Sequence, residues 1–208
     1  MDLVLSSGSF KPILNQGNLL VKTLISSKDY KIQNWKNGLG TTSEIDLVKD
    51  EMGAAFAWRI SAATLVQDSD FSLYPGCLRI LSIWKGQGLW LNEEQLQPWK
   101  PFYFSGDTKI KSRLTDGPVL DLGIIFDPKK VQARLRVYQN LEISLDADVH
   151  YLVAAEGGFK VDEVFVMEGD TLKIENHKSA LQAIQLKPLK EGPVRIFDVN
   201  LKKGSLIP

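Results

Sequence analysis

The sequence predicts an all-β protein built as an antiparallel sandwich or barrel. Three observations carry that expectation. Short runs rich in β-branched and aromatic residues recur at close spacing, with Gly, Pro, Asn or Asp between most of them. No stretch shows helical periodicity sustained over a dozen residues. A weak internal repeat points to two copies of one β-module packed together.

The runs follow in order. Phe56-Ala57-Trp58-Arg59-Ile60-Ser61 alternates large and polar side chains, which puts Arg59 and Ser61 on one face of a strand and Trp58 on the other. Residues 78–84 are β-rich and end at Lys85-Gly86-Gln87-Gly88, a turn signal. Leu89-Trp90-Leu91 follows at once, so the pair reads as a hairpin. Further strands are expected over residues 109–114, 119–126, 133–137, 151–155, 164–167, 171–175 and 180–186. The repeat sets Gly88-Leu89-Trp90-Leu91-Asn92-Glu93 beside Gly158-Phe159-Lys160-Val161-Asp162-Glu163. It then sets Phe104-Ser105-Gly106-Asp107-Thr108 beside Met167-Glu168-Gly169-Asp170-Thr171. Asp127-Pro128-Lys129-Lys130 has the proline and charge of a connection between halves, so residues 1–126 and 127–208 are the expected units. Residues 202–208 read as a loosely held tail.

Composition narrows the function. Lys+Arg and Asp+Glu stand at 25 each, for zero formal net charge, whereas a phosphate-gripping protein carries a basic surplus. Nucleic acid is therefore not the expected partner. No run approaches the roughly 18 apolar residues of a membrane-spanning helix. The single cysteine, Cys77, has no internal partner, and the first residues lack the basic head of a signal peptide, so a cytoplasmic protein is expected. Only two histidines occur, His150 and His177, each far from the other polar clusters, and each reads as solvent-facing or hydrogen-bonded. A three-histidine metal centre is arithmetically excluded, a mixed His/Asp/Glu site has no pattern to support it, and neither a metal nor a cofactor is expected. Cys77 reads as a buried, inert thiol.

The most informative stretch runs from Trp35 to Arg79, where Asn, Thr, Glu, Trp, Tyr and Arg crowd between strand-like runs. A polar pocket with aromatic walls would explain that mixture. Asn37, Gly38, Gly40, Thr41 and Thr42 form a permissive backbone followed by hydroxyls. Glu44 reads equally as a ligand's proton acceptor or as a solvated carboxylate. Arg59 and Arg79 read as a fork for a carboxylate, against the plainer alternative that each pairs with a neighbouring acid. Trp35, Trp58, Phe71 and Tyr74 are candidate walls, with core packing as the alternative. Ser61 shares the face of Arg59. Asp121 lies in an apolar run and needs a partner, for which Arg59 or Arg79 is expected.

These residues resemble the HutD/Ves family of cupin-type proteins. That family carries a Trp-Lys/Arg-Asn-Gly-Gly-Gly-x-Thr-x-Glu-Ile motif, and this chain reads Trp35-Lys36-Asn37-Gly38-Leu39-Gly40-Thr41-Thr42-Ser43-Glu44-Ile45. Later blocks are similar at residues 56–61, at Phe71-Ser72-Leu73-Tyr74-Pro75-Gly76, at Arg79, at residues 86–89 and 102–106, at Asp116-Gly117-Pro118-Val119 and at Asp121. The resemblance implies double-stranded β-helix (cupin/jelly-roll) barrels, a bicupin from two related halves. It also implies a bacterial protein tied in some members to histidine utilisation and in others to stress. Such members are thought to bind an acidic intermediate such as formylglutamate. Two features depart from the pattern: Leu39 replaces the middle glycine, and Gly123 stands where a polar Asn is usual, with Phe126 and Asp127 near positions that are commonly basic.

The expected function is metal-independent binding of a small acidic metabolite, with Arg59 and Arg79 on its carboxylate, Glu44 and Asn37 on its polar end, and Trp35 and Trp58 as walls. The partner is that metabolite rather than nucleic acid or membrane, and a homodimer is compatible with the sequence. The alternative is a metal-free isomerase or epimerase using Glu44, Asp121 or Tyr74 as acid and base. A third reading, an interaction protein, has no basic patch or groove signal behind it.

Overall fold

The computed structural model describes residues 20–35, 38–49, 56–177 and 181–204. Among them the only helical element is a 3-10 turn at Ser27–Asp29, and the rest of the regular structure is strand. The strands are β1 (Leu20–Ile25), β2 (Lys31–Asn34), β3 (Gly40–Lys49), β4 (Phe56–Leu65), β5 (Ser69–Asp70), β6 (Leu78–Lys85), β7 (Leu89–Leu91), β8 (Glu94–Leu96), β9 (Phe102–Ser105) and β10 (Lys111–Leu114). There follow β11 (Val119–Phe126), β12 (Val131–Tyr138), β13 (Glu142–Leu145), β14 (Val149–Glu156), β15 (Phe159–Val161), β16 (Val164–Val166), β17 (Thr171–Asn176), β18 (Gln182–Gln185), β19 (Lys187–Pro188) and β20 (Arg195–Lys203). The all-β expectation holds.

Two large antiparallel sheets dominate. One has the order β2-β3-β4-β11-β6-β9 and the other β1-β17-β14-β20-β12. The first strand thus joins a sheet otherwise made by residues 131–203, pairing Leu20 with Asn176 and Ile25 with Thr171. Smaller sheets, β5-β10-β7-β8 and β16-β15-β19, cover the outer faces, and β13 pairs β18.

Strand periodicity explains where the cores lie. Along β4, β6 and β11 the even-numbered residues Trp58, Ile60, Ile80, Leu122 and Ile124 face the second large sheet. There they meet Tyr151, Val153, Phe197 and Val199. The odd-numbered Leu65, Leu81, Ile83 and Val119 face the small sheet, against Leu89, Leu91 and Leu96. Both faces of the first sheet are therefore occupied. Each fully buried Leu, Ile or Phe contributes about 1.5–3 kcal/mol to holding the layers together.

One polar cluster ties the two large sheets in register. Tyr151 donates from its hydroxyl to Asp46 Oδ2 at 2.6 Å and accepts from Trp58 Nε1 at 3.2 Å. Lys173 Nζ reaches the same Asp46 oxygen at 3.2 Å. Burial, then Asp46, pushes the Tyr151 phenol well above its ordinary value, so it remains a donor. Tyr151→Phe should cost about 1–2 kcal/mol, because it leaves the Trp58 N–H unpaired. A urea melt with an unchanged midpoint would refute that role.

Several expectations need correction. Residues 78–91 are not a hairpin: β6 pairs β11 and β9, whereas β7 pairs β10 and β8 in another sheet. Gly86 (φ 111°) and Gly88 (φ 142°) turn the chain around a corner instead. A Cβ on Gly86 would lie 2.8 Å from the Pro118 carbonyl oxygen, so only glycine passes there. Lys202 and Lys203 belong to β20 rather than to a loose tail, while residues 205–208 lie outside the described residues. The run expected at 180–186 is β18, Gln182–Gln185, and Ala180 lies outside the described residues. The turn expected at 127–130 does connect β11 to β12, closed by Lys130 N donating to Asp127 O at 3.0 Å. Cys77 is half-buried rather than buried, and burial with Asp127 and Asp107 nearby pushes its thiol up.

Candidate functional site

The odd-numbered face of β4, β6 and β11 does more than pack. Beyond the apolar patch it carries Arg59, Ser61 and Ala63 from β4, Arg79 and Leu81 from β6, and Asp121, Gly123 and Ile125 from β11. The antiparallel register brings them side by side: Ser61 lies opposite Gly123, and Ile125 lies between Arg59 and Arg79. These residues line a cavity of about 490 Å³, the size range of a small-molecule site. Gln33, Asn34, Trp35 and Thr42 close one side, and the segment with Asp70, Phe71, Ser72 and Tyr74 closes another.

The two arginines are held differently. Arg59 donates from Nε to Glu44 Oε2 at 3.0 Å and from an η nitrogen to the Tyr74 hydroxyl at 3.4 Å. Glu44 is 8% exposed, so it is neither a solvated carboxylate nor part of the cavity lining, but the buried partner that aims Arg59. Arg79 lies over three rings, 5.0 Å from the Phe71 centroid, 5.5 Å from Tyr74 and 4.9 Å from Phe104. One of its nitrogens donates to the Ser72 carbonyl at 3.1 Å. Burial, with Arg59 adding a smaller push, lowers its pKa from the ordinary value, against Tyr74 and Asp121, which raise it.

Asp121 is 3% exposed, and among the described residues its carboxylate makes no hydrogen bond or ion pair. Burial drives its pKa up to about 7, and Arg79 opposes that rise. The expected partner Arg79 is thus an electrostatic neighbour rather than a direct contact.

The hairpin from β2 to β3 places Trp35. Its Nε1 donates to Thr42 Oγ1 at 2.8 Å, while Trp35 N donates to Gly40 O at 3.0 Å. Gly38 supplies the turn at φ 73°. A Cβ on Gly40 would lie 2.4 Å from Thr64 O and 3.0 Å from the Trp35 ring. Glycine therefore lets the indole pack close against the backbone.

Of the expected site residues, Trp35, Thr42, Arg59, Ser61, Tyr74, Arg79 and Asp121 meet at this cavity. Gly38 and Gly40 shape the hairpin beside it, and Thr41 falls on the other face of β3 from Thr42. Trp58 is not a wall: alternation along β4 turns it into the core between the large sheets. Asn37 lies outside the described residues. Sequence reasoning missed Gln33, Asn34 and Asp70, which sit on an exposed edge strand and a two-residue strand with no pattern to mark them.

His150 is fully buried with both ring nitrogens engaged, by Asp198 at 2.8 Å and by the Ala147 N–H at 3.1 Å. His177 is exposed. Among the described residues no three His, Cys, Asp or Glu side chains are grouped to hold a metal, and no helix is long and apolar enough to cross a membrane.

Comparison with known proteins gives this geometry a family. The HutD family model matches residues 27–191. An uncharacterized 21.2 kDa protein from the hutC 3′ region of Pseudomonas putida is 33% identical over 118 residues, 54% of this chain and 62% of that protein. Protein Ves of Citrobacter koseri is 32% identical over 109 residues, 50% of this chain and 56% of that protein. The matched stretch thus spans under two thirds of either relative. HutD from Pseudomonas fluorescens SBW25, solved in a formate condition, superposes with a TM-score of 0.76 at 26% identity, over 88% of this chain and 100% of that one. More distant proteins share the fold alone. The Escherichia coli pirin YhhW, solved with nickel(II), gives a TM-score of 0.57 at 12% identity, over 86% of this chain and 99% of that one. Bacillus subtilis oxalate decarboxylase gives 0.60 at 8%, over 87% of this chain and 77% of that one. The architecture is therefore cupin-like, and the chain belongs to the HutD family.

Proposed function

We propose that this protein binds a small acidic metabolite, of the formylglutamate type, in the cavity of β4, β6 and β11. Binding is independent of metal and moderates histidine or related amino-acid catabolism, or a stress response. The observation that carries this reading is the pair of guanidinium groups at one cavity, Arg59 oriented by Glu44 and Arg79 by stacked rings. Arginine's planar fork suits a carboxylate, and a guanidinium already immobilised loses little further freedom on binding. The hut-region relative adds the pathway context.

We further read the chain as a bicupin whose halves share one ancestor. In support, the β7–β8 and β15–β16 hairpins are both turned by an acidic or amide residue with positive φ, Asn92 at 54° and Asp162 at 50°.

A thermal-shift series with glutarate, glutamate, formylglutamate and urocanate tests the binding. A saturable rise in melting temperature is expected with an acidic ligand, since only the native state binds it. Arg79→Ala should weaken that ligand roughly tenfold or more, the scale of one charge-assisted contact. Unshifted melting with every acid would sink the proposal.

One observation favours catalysis as a second reading. A buried carboxylate with a pKa of about 7 is suited to proton transfer near neutrality, and Asp121 borders the same cavity. Turnover of a bound acid that is lost in Asp121→Asn would support it.

A further inference from the structure

Gly123 is a glycine that neither its backbone nor its packing requires. It sits inside β11, paired with Ser61 and Leu81, and its φ is not in the left-handed region. A Cβ there would meet only Asp121 Oδ1 at 3.7 Å and Ser61 O at 3.8 Å, both ordinary contacts. Gly40 and Gly106 differ, because a Cβ on either would collide with backbone at 2.4 Å and 2.3 Å. Glycine inside a strand weakens it and often marks a place where something approaches closely. What the missing side chain leaves open is cavity beside Asp121.

Asp121 is the second, independent observation. It is almost fully buried, it lines the cavity, and it has no hydrogen-bonding partner among the described residues. Its oxygens stay open to the cavity, so a donor that enters the cavity can complete them. The charges around it indicate which kind of molecule supplies one. Arg59 is balanced by Glu44, while Arg79 faces Asp121, with Asp70 also on the lining. A ligand carrying only carboxylates would set negative charge against Asp121 and Asp70.

We propose that Gly123 and Asp121 form a donor-accepting subsite: the ligand presents an N–H group, amide or ammonium, to Asp121 through the space that Gly123 leaves. This rests on the carboxylate reading above, with the carboxylate lying toward Arg79. Gly123 is then a specificity-determining position and Asp121 a direct ligand contact.

Calorimetric titrations at pH 8 with glutarate, N-acetylglutamate and glutamate test it, since the three share a carbon frame and differ in the N–H group. At least one nitrogen-bearing ligand should bind the wild type tenfold or more tighter than glutarate. The better of the two identifies the source as amide or ammonium. Asp121→Ala should erase that advantage, and Gly123→Val should abolish it while glutarate still binds. Gly123→Ala, whose added methyl makes only ordinary contacts, should give a roughly threefold loss and serves if the valine variant does not fold. Equal binding of all three by the wild type would overturn the subsite and leave the carboxylate reading standing. A nitrogen-bearing ligand that binds Gly123→Val as well as wild type would also overturn it. Binding of none of the three would remove the carboxylate reading and this inference with it.

Discussion

Asp121→Asn should make the protein more stable at pH 8, with a gain over wild type that shrinks as the pH falls to 4. The native carboxyl has a pKa of about 7, raised by burial from an ordinary value of 3.8. Between those values the unfolded chain has lost the proton that the native state keeps. Native protein therefore binds more protons than unfolded protein, and stability falls as the pH rises through this window. Asparagine has the same shape and nothing to ionise. The full shift corresponds to an upper bound of about 4 kcal/mol at pH 8, at 1.36 kcal/mol per pH unit. For a chain of this size each kcal/mol moves the midpoint by roughly 2–4 °C. Urea melts of both proteins at pH 4, 6 and 8 check it: parallel profiles would mean that Asp121 is ionised throughout and already has a partner.

Gly40→Ala should cost about 2–3 kcal/mol, the upper range for forcing a methyl into packed structure. The new Cβ would lie 2.4 Å from Thr64 O, which the pairing of β3 with β4 holds in place. It would also lie 3.0 Å from two atoms of the Trp35 ring, so the indole and its bond to Thr42 must move. Loss of ligand affinity should accompany the loss of stability, because Trp35 and Thr42 both border the cavity. Gly38→Ala is the contrasting case. Its Cβ meets nothing within 4 Å, and only the positive φ of 73° opposes it, at about 1 kcal/mol. If the two variants melted alike, crowding at Gly40 would not be what holds Trp35 in place.

Much of the fold was legible, and the failures have physical causes. Val119–Phe126 was readable to both ends because it is apolar apart from Asp121 and Gly123 and bounded by Gly117-Pro118 and Asp127-Pro128. β2 was missed because Lys31-Ile32-Gln33-Asn34 is an edge strand exposed at every position and so has no apolar face. β20 was missed although Phe197, Val199 and Leu201 alternate. Its other face buries Asp198 and Asn200, which are satisfied by His150 from β14 and by each other. A buried polar pair of that kind looks like a surface until the partner strand is known.

The same division runs through the site. Local pattern was enough to put Arg59 and Ser61 on one face of β4 and Trp58 on the other, because the side-chain period of a strand is two. It was not enough to keep Trp58 out of the pocket, since which face meets which layer depends on strands far away in the chain. The sequence by itself determined the β class and the supply of arginine, aromatic and carboxylate groups. Only the tertiary structure decided that Glu44 aims Arg59, that three rings hold Arg79, and that Asp121 lies buried without a donor beside Gly123. Those properties belong to distances and dielectric surroundings, and both are set by antiparallel pairing between residues about 35 to 68 positions apart.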